Sequence, residues 1–513
     1  MAKQNRRAFL ADVGRGMLVA SLGSAVATDL ELAPAWAGEG AEALTFGKLE
    51  PLVALMQETP IAKLLPVLIE KMKAGTDLRT LTAAGALANA RTFGGHDYTG
   101  YHALMALAPA YQMAAELPEA QRPLPVLKVL YRNSNRIQEQ GGRKREALHP
   151  VQSADLPKDH NGGELLREAT RHRDMKGAEE TFAALARGPV GEAFNHLQFA
   201  VEDEVDVHRV VLAWRSWVML DLTGAQHAHT LLRQSVRYCV DAEKSLAERK
   251  RTPGIRAALP KLLDQYRLAA RKPGERKAED KWIEHLSQTI YGEGRDRAAD
   301  AVAAALAEGM SPESIGEAIS LAANRLVLCD PGRKRAEPGK PIGSVHGASV
   351  GVHASDSANA WRNIARVSNA RNTFASLICG AYHTAGQNGG QSKEPYSLAE
   401  HLAKVDTKDA DRLLQLTEAA IKEKNQAGAA ALVHRYGELG HPSRRVFDLL
   451  LRYAVSEDGA LHAEKYYRTV TEEYAATRPV FRQRHLVALA RVTASEYGQT
   501  APGYAEARGL LKL

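Results

Sequence analysis

A chain of 513 residues with 45% hydrophobic and 25% charged side chains has the make-up of a soluble globular protein. At roughly 100 to 200 residues per domain it is too long for one ordinary core and implies two or more domains, or two repeats packed together. A formal charge of +7 spread over so large a surface excludes a strong nucleic-acid footprint, and three cysteines with no C-x-x-C pair exclude a disulfide framework, a cysteine zinc site and a c-type haem attachment.

In chain order, Asn5-Arg6-Arg7-Ala8-Phe9-Leu10 resembles a twin-arginine leader, followed by a moderately apolar stretch from Val13 to Ala27. Asp12 and Arg15 make that stretch a poor permanent membrane span. Residues 1–37 therefore read as a signal segment, which implies export of the folded chain by the twin-arginine machinery to the periplasm or cell envelope.

From Leu49 onward the pattern is helical. Low aromatic content, abundant alanine and few β-branched runs favour helices, and Leu52, Leu55, Met56, Leu64, Leu65 and Leu68 recur at three and four spacings. Thr76-Asp77 opens a helix ending near Arg91, and Ser311-Pro312-Glu313 opens one leading to Ala323-Asn324-Arg325, each with a capping residue at its start. Ala88-Asn89 and Ala323-Asn324 are separated by 235 (323 minus 88), and the same spacing relates Gly224-Ala225-Gln226-His227-Ala228 to Gly459-Ala460-Leu461-His462-Ala463 (459 minus 224). Gly100-Tyr101-His102-Ala103 and Gly351-Val352-His353-Ala354 form a third pair at 251 (353 minus 102), so an insertion intervenes, placed in the basic Pro/Gly loop from Asp330 to Pro341. The spacing predicts an all-α protein of two related halves, residues 38–248 and 285–513, joined by a basic linker over 249–284.

Histidines carry the chemistry in this reading. Each half shows four in comparable order, His102, His149, His196 and His227, then His353, His383, His434 and His462. Neutral imidazole is a common metal ligand and carries protons near neutral pH. The eight are therefore candidate ligands for a transition metal such as iron or zinc, with His102, His353, His227 and His462 as the catalytic candidates. Single histidines in a core are ordinarily satisfied by a hydrogen bond, and the alternative reading is a non-catalytic helical scaffold or binding protein with structural histidines. Glu204 and His208 share a helix face, and Glu438 to His441 is a Glu-x-x-His interrupted by Gly440, which by itself falls short of the paired motifs of a ferritin-like di-iron bundle. Gly347-Ala348-Ser349-Val350-Gly351 fits the nucleophile elbow of a serine hydrolase but lacks a strand before it. Trp214 and Trp217 read as core packing.

Asn195-His196-Leu197-Gln198-Phe199, the run from Val350 through His353 to Arg362, and Asp458-Gly459-Ala460-Leu461-His462-Ala463 resemble the spaced histidine motifs of the questin oxidase-like proteins. The blocks cover about a third of the chain. The resemblance implies a helical protein that oxidises a small organic substrate and points to His196, His353 and His462. Gln198, where proline is expected, and the exported leader depart from that family's pattern. Together these features predict an exported helical oxidoreductase whose histidine-lined site draws on both halves.

Overall fold

Runs of apolar residues at helical spacing fold as helices throughout. The computed structural model describes residues 44–513 apart from positions 158, 339, 346, 348 and 392–397, so the signal segment expected over residues 1–37 lies outside the described residues. Among the described residues the protein is all-α, and extended pairing is confined to isolated bridges such as Arg276 with Met310. No described helix is long and apolar enough to cross a membrane.

Among the described residues, ten helices make up the first half. They are α1 (Glu50–Glu58), α2 (Ile61–Lys73), α3 (Leu78–Phe93), α4 (Tyr98–Ala114), α5 (Pro123–Glu139), α6 (Gly162–Arg171), α7 (Met175–Leu185), α8 (Val190–Val201), α9 (Val207–Thr223) and α10 (Ala228–Glu248). After α11 (Ile255–Gln265), the second half runs through α12 (Asp280–Gly292), α13 (Arg295–Ala307), α14 (Pro312–Leu328), α15 (Val350–Val367) and α16 (Ala370–Gly386). It continues with the short α17 (Leu398–Leu402), then α18 (Ala410–Lys422), α19 (Gln426–Glu438), α20 (Ser443–Ser456), α21 (His462–Ala476) and α22 (Pro479–Glu496). A last helix, α23 (Tyr504–Leu511), returns to pack on α2 and α5.

The order of helices and their packing partners recur. In the first half α3 packs on α1 and α4, α5 on α4, and α10 on α7 and α9; in the second, α14 packs on α12 and α15, α16 on α15, and α22 on α19 and α21. The helix ends recur with them. Asp77 accepts from the Thr80 amide at 2.7 Å and Ser311 from the Ser314 amide at 3.2 Å, while Asp174 and Asn425 each accept from a glycine amide three residues on, at 2.9 Å. Pro189 and Pro442 precede α8 and α20. Arg237 donates to the Gly94 carbonyl at 3.1 Å, and Arg491 to the carbonyls of Val327 and Asp330, each at 2.6 Å. Both arginines thus satisfy backbone acceptors at or just beyond the C-terminus of the corresponding helix, α3 or α14.

This correspondence differs from the one read in the sequence at one joint. The Ala225–His227 turn connects α9 to α10, whereas the Gly459–Leu461 turn connects α20 to α21, so the two Gly-Ala-x-His-Ala segments are not equivalent. The 235 spacing holds up to α3 and α14; past the loop between α14 and α15 it rises to 251 (353 minus 102) and reaches 254 (491 minus 237). His462 therefore corresponds to His208 (462 minus 208 is 254), not to His227.

The halves meet where α9 packs on α15 as well as α4, and α21 on α4 as well as α15. Polar groups bridge the same junction. Lys128, 1% exposed on α5, donates to the carbonyls of Ala454 at 2.9 Å and Glu457 at 2.5 Å, and its ammonium lies 2.6 Å from the fully buried carboxylate of Glu464. Tyr467 donates to Glu116 at 2.8 Å, and the Asn369 amide donates to the Asn195 side chain at 3.0 Å. Residues 249–284, expected as a connector, carry α11 and the start of α12; Arg251 reaches Glu204 at 2.9 Å and Arg256 reaches Glu243 at 2.6 Å.

Removing one partner of a buried ion pair strands the other charge, at a cost of about 3–5 kcal/mol. Lys128→Met is expected to lose that much in urea denaturation, and Lys128→Met combined with Glu464→Leu to regain most of it. Equal losses in the single and double variants would show that Glu464 is not compensated by Lys128.

Candidate functional site

Four helix N-termini converge at the junction, and each delivers one histidine. Asp97 caps α4 by accepting from the Gly100 amide at 2.8 Å and is itself held by Arg136 at 2.6 Å, which puts His102 on the second turn. Asp206 caps α9 by accepting from the Arg209 amide at 2.9 Å and also takes the Tyr238 hydroxyl at 2.9 Å, which puts His208 in the first turn. Ser349 caps α15 through the Val352 amide at 3.3 Å, with His353 following. His462 is the first residue of α21, after Ala460 and Leu461 at φ 47° and 66°.

The imidazoles form a closed ring in which neighbours alternate between halves and within them. Centroid separations are 4.9 Å for His102 with His208, 5.5 Å for His208 with His353, 5.3 Å for His353 with His462 and 4.9 Å for His462 with His102. His353 corresponds to His102 and His462 to His208, so the ring carries the pseudo-two-fold relation of the halves. His102 and His462 are 1% exposed, while His208 and His353 are half-buried and form its more open edge. Tyr98, 39% exposed, and Tyr101 pack against His102 at 4.2 Å and 5.0 Å.

Backbone carbonyls set the orientation of two rings. His102 Nδ1 lies 2.7 Å from the Tyr98 carbonyl and His462 Nδ1 lies 3.0 Å from that of Ala460, so each donates from Nδ1 and presents an unprotonated Nε2. The Nε2 atoms of His353 and His462 are 3.3 Å apart. The Nε2 atoms of His102 and His208 are buried with no hydrogen-bond partner among the described residues.

The surroundings keep His102 and His208 neutral. Burial pushes the pKa of His102 well below its ordinary value, with Lys465, His208 and His462 adding to the effect. Burial lowers that of His208 to about 4, against Asp206, which favours the charged form. Lys465, one turn along α21, is itself pushed down to about 8 by burial, with Asp356 opposing. Four helix N-termini pointing at one place add a positive potential that further disfavours imidazolium.

Of the eight histidines singled out in the sequence, the fold brings together His102, His353 and His462. His149 bonds its own loop at the Glu146 carbonyl, 3.0 Å away. His196 is half-buried on α8; His227 packs edge-on against Phe46 at 5.8 Å; His434 is at the surface beside Glu438 at 3.3 Å. His383 is buried beside Trp361, whose indole donates to its Nδ1 at 3.3 Å. The fourth member of the ring, His208, was grouped in the sequence with Glu204, but Glu204 pairs with Arg209 and Arg251 instead. The 254 spacing between His208 and His462 was the signal for it, hidden by the stronger likeness around His227.

Ser349 uses its hydroxyl as a helix cap, and the glycines beside it have packing reasons. A Cβ on Gly347 would stand 2.3 Å from that of His462, and one on Gly351 would stand 2.7 Å from the Val327 backbone. No strand precedes the segment among the described residues. Among those residues no group of three or more His, Cys, Asp and Glu stands in an arrangement that would hold a metal ion. No protein-family model matches the chain, and no curated protein or solved structure was found to be similar to it.

His383 gives a pH test of how the buried histidines are held. Burial lowers its pKa from 6.5 to about 4, so between those values the unfolded chain binds a proton there that the folded chain refuses. Its contribution is complete above pH 6.5 and is lost as the pH falls to 4, by about 3 kcal/mol. Stability measured by urea denaturation is expected to fall less steeply with acid in His383→Gln than in the wild type. Parallel curves would show that His383 titrates normally in the fold.

Proposed function

We propose that His353 and His462 bind a transition metal, that His102 and His208 complete its ligands by turning their rings toward it, and that the protein is an oxidoreductase acting on a small organic substrate. The observation that carries this reading is the 3.3 Å separation of the His353 and His462 Nε2 atoms. Two imidazole nitrogens bound to one tetrahedral ion at about 2.0–2.1 Å would stand about 3.3–3.4 Å apart. The unpartnered Nε2 atoms of His102 and His208 across the ring supply further donors of the same kind. Nitrogen-only ligation suits iron or zinc, which when bound would supply redox or Lewis-acid chemistry.

The chain's own residues would do the rest. The Tyr98 and Ala460 carbonyls fix two rings, Asp206 and the Tyr238 hydroxyl hold the start of α9, and Lys465 places a buried amine near His102 and His208. The oxidative character comes from the likeness to questin oxidase-like motifs around His353 and His462. The twin-arginine-like leader supports export of the folded chain.

A second reading rests on the same contact. At 3.3 Å the Nε2 of one imidazole can donate to the other, and a ring of packed histidines then stabilises a helical scaffold without catalysis. Elemental analysis of the folded full chain separates the two. The first reading expects close to one equivalent of a transition metal, lost in His102→Ala and His462→Ala but kept in His227→Ala and His434→Ala. Substoichiometric metal in the wild type, with the ring variants altered only in stability, would establish the scaffold.

A further inference from the structure

Lined by none of the ring residues, a cavity of about 430 Å³ opens between the loop at Val151–Ser153, helix α7 and the first turn of α10. Its volume lies within the range of small-molecule sites. Gln152, Ser153, Ala183, Arg187 and His229 complete the lining. The walls are fixed at both ends of the loop, where Arg233 donates to the His149 carbonyl at 2.8 Å and the Ala154 amide to the Glu180 carbonyl at 3.0 Å.

His229 is oriented, and one of its nitrogens is unused. Its ring stacks on Phe182 at 5.9 Å with 21° between planes, and its Nε2 is buried with no partner among the described residues. Burial and then the neighbouring Arg233 lower its pKa to about 4, so it meets a ligand as a neutral imidazole. Such a ring can donate one hydrogen bond but brings no charge.

The charge comes from the arginines. Arg233 and Arg237 both lean on a single carboxylate, Glu179, at 2.7 Å and 2.8 Å, which leaves one positive charge in excess behind the cavity. Arg187 lines the cavity, is exposed, and forms no ion pair among the described residues. A guanidinium, a hydroxyl, an amide and an imidazole donor around a volume of this size match an oxyanion with a small organic body.

We propose that this cavity binds a small oxyanion-bearing molecule, a carboxylate or a phosphate ester, with Arg187 holding the charge and His229 donating to it. The site shares no residue with the histidine ring and does not depend on what the ring binds. Isothermal titration of the full chain with inorganic phosphate and, separately, with succinate tests it, using Arg187→Ala and His229→Gln as variants and circular dichroism to verify their folding. Saturable binding of at least one probe is expected, weakened at least about tenfold in folded Arg187→Ala and weakened also in His229→Gln. Phosphate alone would identify a phosphate ester as the class, succinate alone a carboxylate. No saturable binding of either probe, or wild-type affinity in either folded variant, would overturn the proposal. Should His229→Gln fail to fold, Arg187→Ala, altered at an exposed position, decides it.

Discussion

The exchange of helices between halves is the constraint on which the site depends. Each half presents the helix that carries its second ring histidine, α9 or α21, to the fourth helix of the other half as well as to its own. A histidine near the start of each of these four helices must then arrive at the junction. Were the halves to move apart, the His102–His208 and His353–His462 contacts would each survive within a half, and the two contacts that close the ring would be lost. The buried Lys128–Glu464 pair and the Asn369–Asn195 bond sit on the same junction, so registration of the halves and assembly of the ring are one event.

Around the ring the two-fold relation fails in a chemically specific way. Asp206 and Tyr238 stand on one side, where the 254 spacing puts Ala460 and Val492 on the other (460 minus 206, 492 minus 238). Glu464 and Lys465 in turn occupy the places of Val210 and Val211 (464 minus 210, 465 minus 211). The four imidazoles are alike, but their neighbours are an anion with a phenol on one side and a buried amine on the other. Burying each of these groups is tolerable only because it is matched: Asp206 by the Arg209 amide and the Tyr238 hydroxyl, Lys465 by Asp356.

The helical class was legible from alanine content, apolar spacing and capping residues, because those signals are local. Asp77 and Ser311 mark helix starts in the sequence, and the helices begin there. The candidate site was legible in part. His102 and His353 stood out because Gly-x-His-Ala recurs at both helix starts. His462 was found through a likeness to His227 that the fold does not honour, since that likeness joins a turn after α9 to a turn after α20. His208 escaped because its surroundings, Asp206-Val207-His208-Arg209, share only the histidine with Leu461-His462-Ala463. Which histidines meet is decided by which helices cross, and a crossing between segments over 100 residues apart leaves no mark in local spacing. His149, His383 and His434 look no different in sequence, yet each is satisfied by its own loop, core neighbour or surface partner, and His196 and His227 lie half-buried outside the ring.

The doubled architecture has a bearing on ancestry. One half alone owns two of the four imidazoles and a face made to receive a copy of itself. A half-length polypeptide pairing about a rotation axis as a homodimer is therefore geometrically sufficient to generate a complete ring. Joining the two copies through the α11 segment removes the requirement that both carry the same residues. Substitutions such as Val210 against Glu464 then become possible on one side only, so fusion converts a symmetric centre into one with a distinguishable left and right.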